Sequence, residues 1–344
     1  MLRSLLFRYD GVYLAAKKFR LVQHSSRVGI QMRVTKKVFL SCVLLLGLAG
    51  FLLGAPADLL SAGGQAPYHI VLLGDPHLPG KFLAEKEAVL RTINTWPDVA
   101  LVVALGDICE GLGTEPQYAA ARQYFDKLVK PWVAIPGNHD FIYSDIRMLD
   151  GKSIKGSADE KQKKLTKFQK TFRLPVLYHT KPAGNYKLIF LATDDTQSDQ
   201  LTRISQKQLD WLRSELKRDN KKPTIIFFHA PLFGTLSNDN RNANTTDSVA
   251  QPRDDLREII KSNPQIFLWV CGHKHVPATS KDFRSDINLY ENQVYTLHNT
   301  DMNRATIWTN SLILFPDKVV IKTYNHRLGT WSPELEKTLV PPRL

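Results

Sequence analysis

Five short segments of this 344-residue chain concentrate Asp, His and Asn: Asp75-Pro76-His77, Gly106-Asp107, Gly137-Asn138-His139-Asp140, His229, and Gly272-His273-Lys274-His275. Each directly follows an apolar run, in order Ile70 to Leu73, Ala100 to Leu105, Trp132 to Ile135, Thr224 to Phe228 and Ile266 to Val270. Leaving His139 and Asp140 aside, the segments offer two carboxylates, one carboxamide and four imidazoles. That is a full donor set for two adjacent divalent ions.

Two ions roughly 3.5–4 Å apart need a shared ligand, and a carboxylate suits that place because each of its oxygens can face one ion. Asp107, alone after Gly106, is the natural bridge. Asp75 and His77, two residues apart on an extended tip, can point at one ion. His273 and His275 have the same spacing and, with alternating direction, could serve different ions. Asn138 adds a carboxamide oxygen and His229 a further imidazole. Nitrogen and oxygen donors without an obligatory thiolate suit Zn²⁺, Mn²⁺ or Fe. Such a pair grips phosphate oxygens, deprotonates a bridging water at neutral pH and stabilises both ends of an in-line displacement. Two dications, two Asp carboxylates and one hydroxide leave roughly +1, which favours an anionic substrate. His139 is placed to protonate the leaving group as general acid, with Asp140 holding its ring.

The apolar runs are short and rich in β-branched and aromatic residues, so they read as buried strands. Polar residues just past the carboxyl ends of parallel strands gather at one sheet edge, where ligands bind. Between the runs, Leu83 to Trp96, Glu115 to Val129, Ser205 to Lys217 and Pro252 to Lys261 have helical period. Thr114-x-x-Gln117 and Ser205-x-x-Gln208 open two of them as capping boxes. The alternation predicts parallel strands with helical crossovers. Val294 to His298, Thr306 to Phe315 and Lys318 to Tyr324 come next without helices between them, which predicts a second, partly antiparallel sheet. Asp150 to Lys170 reads as an exposed loop and helix with a solvated charged face. Ser237 to Ser248 reads either as a substrate wall or as a plain connector.

The formal charge of +13 is concentrated in the leader, because residues 1–57 hold nine Lys/Arg and a single acid. Nucleic-acid binding is therefore not the main expectation. Val38 to Ala55 carries no charge, Arg33, Lys36 and Lys37 precede it, and Ala55-Pro56-Ala57 has the small-x-small pattern of a signal-peptidase site. A cleaved signal peptide and an uncleaved anchor both fit that length, and the positive flank directs the downstream chain out of the cytoplasm. Export to the periplasm or exterior, free or tethered to the membrane, is the expectation. Met32 would open a more ordinary signal than Met1. The predicted organisation is a leader over 1–57, a flexible linker over 58–67 and one domain over 68–344. Cys109 and Cys271 both fall on the donor-bearing edge, as a disulfide or, more plainly, as two buried thiols. The sequence assigns no oligomeric state.

Taken in order, the Asp-x-His, Gly-Asp, Gly-Asn-His-Asp, His and Gly-His-x-His blocks resemble the calcineurin-like metallophosphoesterase superfamily over about residues 68–276. The resemblance implies an α/β fold, a four-layer α/β-β/α sandwich of two mixed sheets flanked by helices, with a dinuclear metal site at strand carboxyl ends. It implies Asp75, His77, Asp107 and His275 around one metal, Asp107, Asn138, His229 and His273 around the other, and His139 as catalytic histidine. It also implies a hydrolase of phosphate esters. The block Gly106-Asp107-Ile108-Cys109-Glu110-Gly111 lacks the Asp-Arg-Gly continuation of the protein Ser/Thr phosphatases. It has Glu110 where purple acid phosphatases place an iron-binding Tyr, so the bacterial-type phosphatase and phosphodiesterase branch remains. Alternatives are a phosphodiesterase or nuclease acting on nucleotides or nucleic acid, a lipid-pathway hydrolase, and a non-catalytic binding module of the same fold.

Overall fold

A computed structural model describes residues 66–238 and 242–344; the leader and nearly all of the linker, with every expectation placed on them, lie outside the described residues. In chain order the elements are β1 (Tyr68–Leu73), α1 (Leu83–Thr95), β2 (Val99–Ala104), α2 (Glu115–Phe125), β3 (Trp132–Ala134), α3 (Asn138–Phe141), β4 (Tyr143–Arg147) and β5 (Ser153–Lys155). Then come α4 (Ala158–Phe172), β6 (His179–Ala183), β7 (Tyr186–Phe190), α5 (Gln206–Arg218), β8 (Thr224–Phe227), α6 (Arg253–Lys261) and β9 (Ile266–Cys271). The chain closes with β10 (Leu289–Tyr290), β11 (Val294–His298), β12 (Trp308–Leu314), β13 (Val319–Asn325), β14 (Thr330–Trp331) and β15 (Lys337–Leu339). Among the described residues no helix is long and apolar enough to cross a membrane.

The central strands are apolar through most of their length because both of their faces are covered. In β1, Ile70 and Leu72 enter a core shared with Leu188, Phe227 and Val270 of the other sheet. Val71 and Leu73 of the same strand pack instead with Val89 and Ile93 of α1 and Tyr118 of α2. β8 divides likewise: Ile225 and Phe227 join the inter-sheet core, while Ile226 packs with Leu212 of α5 and Ile259 of α6. Helix, sheet, sheet, helix is therefore the layer order. Each buried Leu or Ile contributes about 1.5–3 kcal/mol, and a one-residue slip would exchange the two faces of a strand.

One sheet runs β14-β13-β12-β1-β2-β3, with β15 also on β13; the other runs β10-β11-β9-β8-β7-β6. β1, β2 and β3 are parallel, as are β7, β8, β9 and β11. Both sheets are thus mixed, as expected. The placing of the last strands needs correction. β11 does lie in the second sheet beside β9, but β12 and β13 return to the first sheet, where β12 pairs antiparallel with β1. The free edge of β1 needs a partner for its backbone groups, and nothing in the residue types of β12 says which edge it fills.

Two local expectations also change. Helix α2 stops at Phe125 and tightens through Lys127 N–H to Tyr124 O (3.1 Å) and Leu128 N–H to Phe125 O (3.0 Å), ahead of Pro131, which cannot continue a helix. The Lys-rich stretch is not simply a solvated face. Lys161 and Lys164 of α4 are buried, and the Lys164 ammonium donates to Tyr143 O (2.6 Å), holding the β4–β5 hairpin against the helix.

Candidate metal centre

The tips at the ends of β1, β2, β3, β8 and β9 meet at one edge. The backbone joins them first: His77 N–H donates to Asp107 O (2.9 Å), and Gly272 N–H donates to His229 O (2.9 Å). Crowding explains the glycines that precede the donors. A Cβ on Gly106, whose φ is +89°, would lie 2.5 Å from His229 Nδ1. One on Gly272 would lie 2.5 Å from Asp75 Oδ2. The donors themselves turn sharply, with φ of +37° at Asp75, +46° at His77, +48° at Asp107, +64° at His273 and +51° at His275. A non-glycine residue held there stores about 1–3 kcal/mol of backbone strain, which the surrounding bonds must offset.

The side chains converge in two groups. Asp75, His77, Asp107 and His275 bring one donor atom each within 4.8 Å of one another, and so do Asp107, His229 and His273. Asp107 belongs to both. Asn138, opening the single-turn α3, places Oδ1 3.1 Å from His229 Nε2 and so joins the second group. All seven sequence-predicted donors are therefore brought to one place.

Neighbouring carbonyls fix which nitrogens face inward. His229 Nδ1–H donates to Leu105 O (2.8 Å) and His273 Nε2–H to Asp247 O (2.8 Å). The remaining nitrogens, His229 Nε2 and His273 Nδ1, face each other at 3.2 Å. Two imidazole lone pairs cannot stand so close without a cation between them. Burial opposes a charge on His229, but the carboxylate of Asp107 at 3.3 Å and that of Asp75 push its pKa up to about 9. Burial likewise works to raise the carboxyl of Asp107, yet His229, His139 and His77 hold it well below the usual range. Asp75, with burial dominant, is held well above it. Burial takes His77 down to about 4 and His273, with His229 adding to the effect, to about 3. Burial thus keeps His77 and His273 neutral, with lone pairs to offer, whereas the carboxylates of Asp107 and Asp75 favour a positive charge at His229. His77 Nε2 and His275 Nε2, also 3.2 Å apart, form the matching pair in the first group, and His77 Nδ1 is buried without a partner. The donor set fits two divalent cations.

His139 stands at the rim. Its N–H donates to Asp107 Oδ1 (2.8 Å), its Nδ1 bonds Gly111 O (2.7 Å), and its Nε2 lies 4.0 Å from Asp107 Oδ2. The side chain is 31% exposed, whereas Asp107 and His229 are buried. The expectation that Asp140 holds this ring is corrected. Asp140 Oδ1 accepts from Cys109 N–H (2.8 Å) and Oδ2 from Gly137 N–H (2.8 Å), tying the second tip to the third. Consecutive residues on a helical turn diverge by about 100°, so the two side chains cannot meet. Gly111 O does the orienting instead, and a backbone carbonyl leaves no trace in residue type. Tyr143, four residues on, sets its ring 5.3 Å from that of His139 and was likewise not foreseen.

The remaining expectations are readily placed. Cys109 and Cys271 are free and buried, with no disulfide between them. His298 ends β11 but bonds Thr235 O (3.1 Å), away from the cluster. His69 bonds Asp98 and Ser311, and His326 stacks on Trp96. Lys274 points away from the donors, toward Ser248 Oγ (3.3 Å).

Residues 68–277 match the family model described as calcineurin-like phosphoesterase. The chain belongs to that family. Membership makes it a hydrolase of phosphoester bonds, a class that its relatives share. It is 26% identical over 241 residues to a 3',5'-cyclic-nucleotide phosphodiesterase of Nostoc sp., covering 70% of this chain and 77% of the relative. It is 23% identical over 224 residues to a probable glycerophosphodiester phosphodiesterase of Arcobacter nitrofigilis, covering 61% and 73%. A dimetal phosphatase from Danio rerio superposes with a TM-score of 0.56 at 13% identity, covering 81% of this chain and all of the other. A purple acid phosphatase from yellow lupin gives 0.54 at 14% identity, covering 80% and 54%. At such identities the structural likeness shows the calcineurin-like fold alone.

Proposed function

We propose that this calcineurin-like phosphoesterase hydrolyses phosphodiesters, with Asp75, His77, Asp107 and His275 holding one divalent ion and Asp107, Asn138, His229 and His273 a second. The facing ring nitrogens His229 Nε2 and His273 Nδ1, 3.2 Å apart beside the shared Asp107, carry the metal reading. When bound, such a pair supplies Lewis acidity toward phosphate oxygens and activates water as nucleophile at neutral pH. Mn²⁺, Zn²⁺ or Fe²⁺ suits these donors. His139, as an imidazolium with Nδ1–H held on Gly111 O, gives its Nε2 proton to the departing alkoxide. Gly111 and the Asp107 carboxylate fix the direction of that transfer. The diester assignment draws support from the relatives named as a cyclic-nucleotide and a glycerophosphodiester phosphodiesterase.

The test uses the full chain, stripped and reloaded with Mn²⁺, Zn²⁺ or Fe²⁺, on bis(p-nitrophenyl) phosphate and p-nitrophenyl phosphate. 3',5'-cyclic AMP and glycerophosphoethanolamine serve next as natural diesters. A kcat/KM favouring the diesters is expected. A clear monoester preference would overturn the substrate assignment, and one ion per active chain would overturn the shared site. We also propose that Arg33, Lys36, Lys37 and the uncharged run after them export the domain, as a freed or tethered protein.

A further inference from the structure

A loop beyond the stretch that matches the family, residues 299–304 after β11, grips three of the four donors of the first group from behind. Met302 N–H donates to Asp75 O (3.1 Å). Arg304 Nη2 donates to His275 O (2.9 Å), and its Nε pairs with the buried carboxylate of Asp301. The third grip is indirect. Lys86 of α1 is wholly buried, yet its ammonium has no carboxylate partner among the described residues. It donates instead to His77 O (2.8 Å) and Asn303 Oδ1 (2.8 Å), with Pro79 O at 3.4 Å. Asn303 Oδ1 also accepts from Lys81 N–H (2.9 Å).

A fully buried ammonium is costly to keep unless its hydrogens are satisfied. Here they are spent on the peptide carbonyl of a donor and on the loop. Packing excludes any looser seating: a Cβ on Gly74 would lie 2.2 Å from Thr300 O, and one on Gly80 would lie 2.7 Å from Asn303 Oδ1. The three carbonyls gripped belong to Asp75, His77 and His275, all with positive φ. In the second group the His229 and His273 rings are held by Leu105 O and Asp247 O and Asn138 by the α3 turn. The strap reaches that group only through Asp75, whose carboxylate accepts from His273 N–H (3.0 Å).

We propose that residues 299–304 and Lys86 form a strap that positions Asp75, His77 and His275 and so tunes the first metal site separately from the second. Lys86, Asn303 and Arg304 are positioning residues: their bonds go to backbone groups, to one another and to Asp301, and none goes to a donor side chain. The inference rests on the two-ion reading above, and the wild-type control separates the two failures.

The test titrates Mn²⁺ into metal-free full chain by calorimetry, for wild type and for Lys86→Met, Asn303→Ala, Asn303→Asp and Arg304→Ala, with melting of each metal-free protein measured alongside. Loss of an outer-shell partner commonly costs about 10–100-fold in metal affinity. Lys86→Met, Asn303→Ala and Arg304→Ala should each weaken one of two ions by that factor and leave the other within about threefold. Asn303→Asp keeps an acceptor for Lys86 and Lys81 and should restore near wild-type binding. Should Lys86→Met fail to fold, the Asn303 pair and Arg304→Ala, on a partly exposed side chain, decide the matter. Equal weakening of both ions, or none, in folded variants overturns the strap. Wild type that binds fewer than two ions overturns the two-ion reading itself, and the strap with it.

Discussion

Asp140 separates two accounts of the rim histidine. If it oriented His139, replacing it would injure proton transfer; if it is a strut between tips, replacement would injure the fold. In the structure both carboxylate oxygens are committed to buried N–H groups, Cys109 and Gly137, at 2.8 Å each. Asp140→Asn retains one acceptor oxygen and turns an NH₂ toward the other N–H, leaving one buried donor unmet. Such a group costs about 1–3 kcal/mol. Melting should fall by on the order of 2–4 °C for each kcal/mol in a domain of this size. Asp140→Ala leaves both donors unmet and should roughly double the loss. The assay is thermal unfolding of the full chain in EDTA, so that metal affinity does not enter, with kcat then measured on diesters with good and poor leaving groups. A falling melting temperature with an unchanged leaving-group dependence is expected. An Asp140→Asn protein as stable as wild type, with a leaving-group dependence as steep as that of His139→Asn, would refute the strut.

His139→Asn should lower kcat by about 10²–10⁴-fold on alkyl leaving groups and much less on p-nitrophenol, with two ions still bound; equal losses on both would remove His139 as the acid. Asp107→Asn should cost both ions and nearly all activity, since its carboxylate serves both donor groups; elemental analysis showing two ions retained would deny it the bridge. Burial holds the His298 pKa at about 4, below the usual 6.5, so its neutral form stabilises the fold fully above pH 6.5 and that contribution is lost as pH falls toward 4. In EDTA, His298→Asn should therefore lose less stability than wild type across that window, by roughly 3 kcal/mol at most, and parallel curves would contradict the burial account. Residues 1–70 fused to a reporter active only outside the cytoplasm should give activity, with amino-terminal sequencing reporting cleavage after Ala57; a silent, intact cytosolic fusion would overturn export.

The sequence by itself singled out the candidate donors and their order. Asp75, His77, Asp107, Asn138, His229, His273 and His275 are legible because metal chemistry restricts residue type and because each lies just past an apolar run. The same runs declared an α/β fold, since a strand covered on both faces must be apolar throughout. The features that residue types could not declare lie in the backbone. Leu105 O, Gly111 O and Asp247 O set the histidine tautomers and the His139 ring, and a carbonyl has no residue identity to read. Asp140 has the right type and neighbour for a ring-holder, and only the helical turn at α3 carries it elsewhere. β12 and β13 are apolar enough for either sheet; pairing with the open edge of β1 decides between them. The 299–304 loop, more than twenty residues past the last donor, reaches Asp75 and His275 only because β11 ends beside β9. Residue type selects the chemistry, and long-range hydrogen bonding decides which group serves which partner.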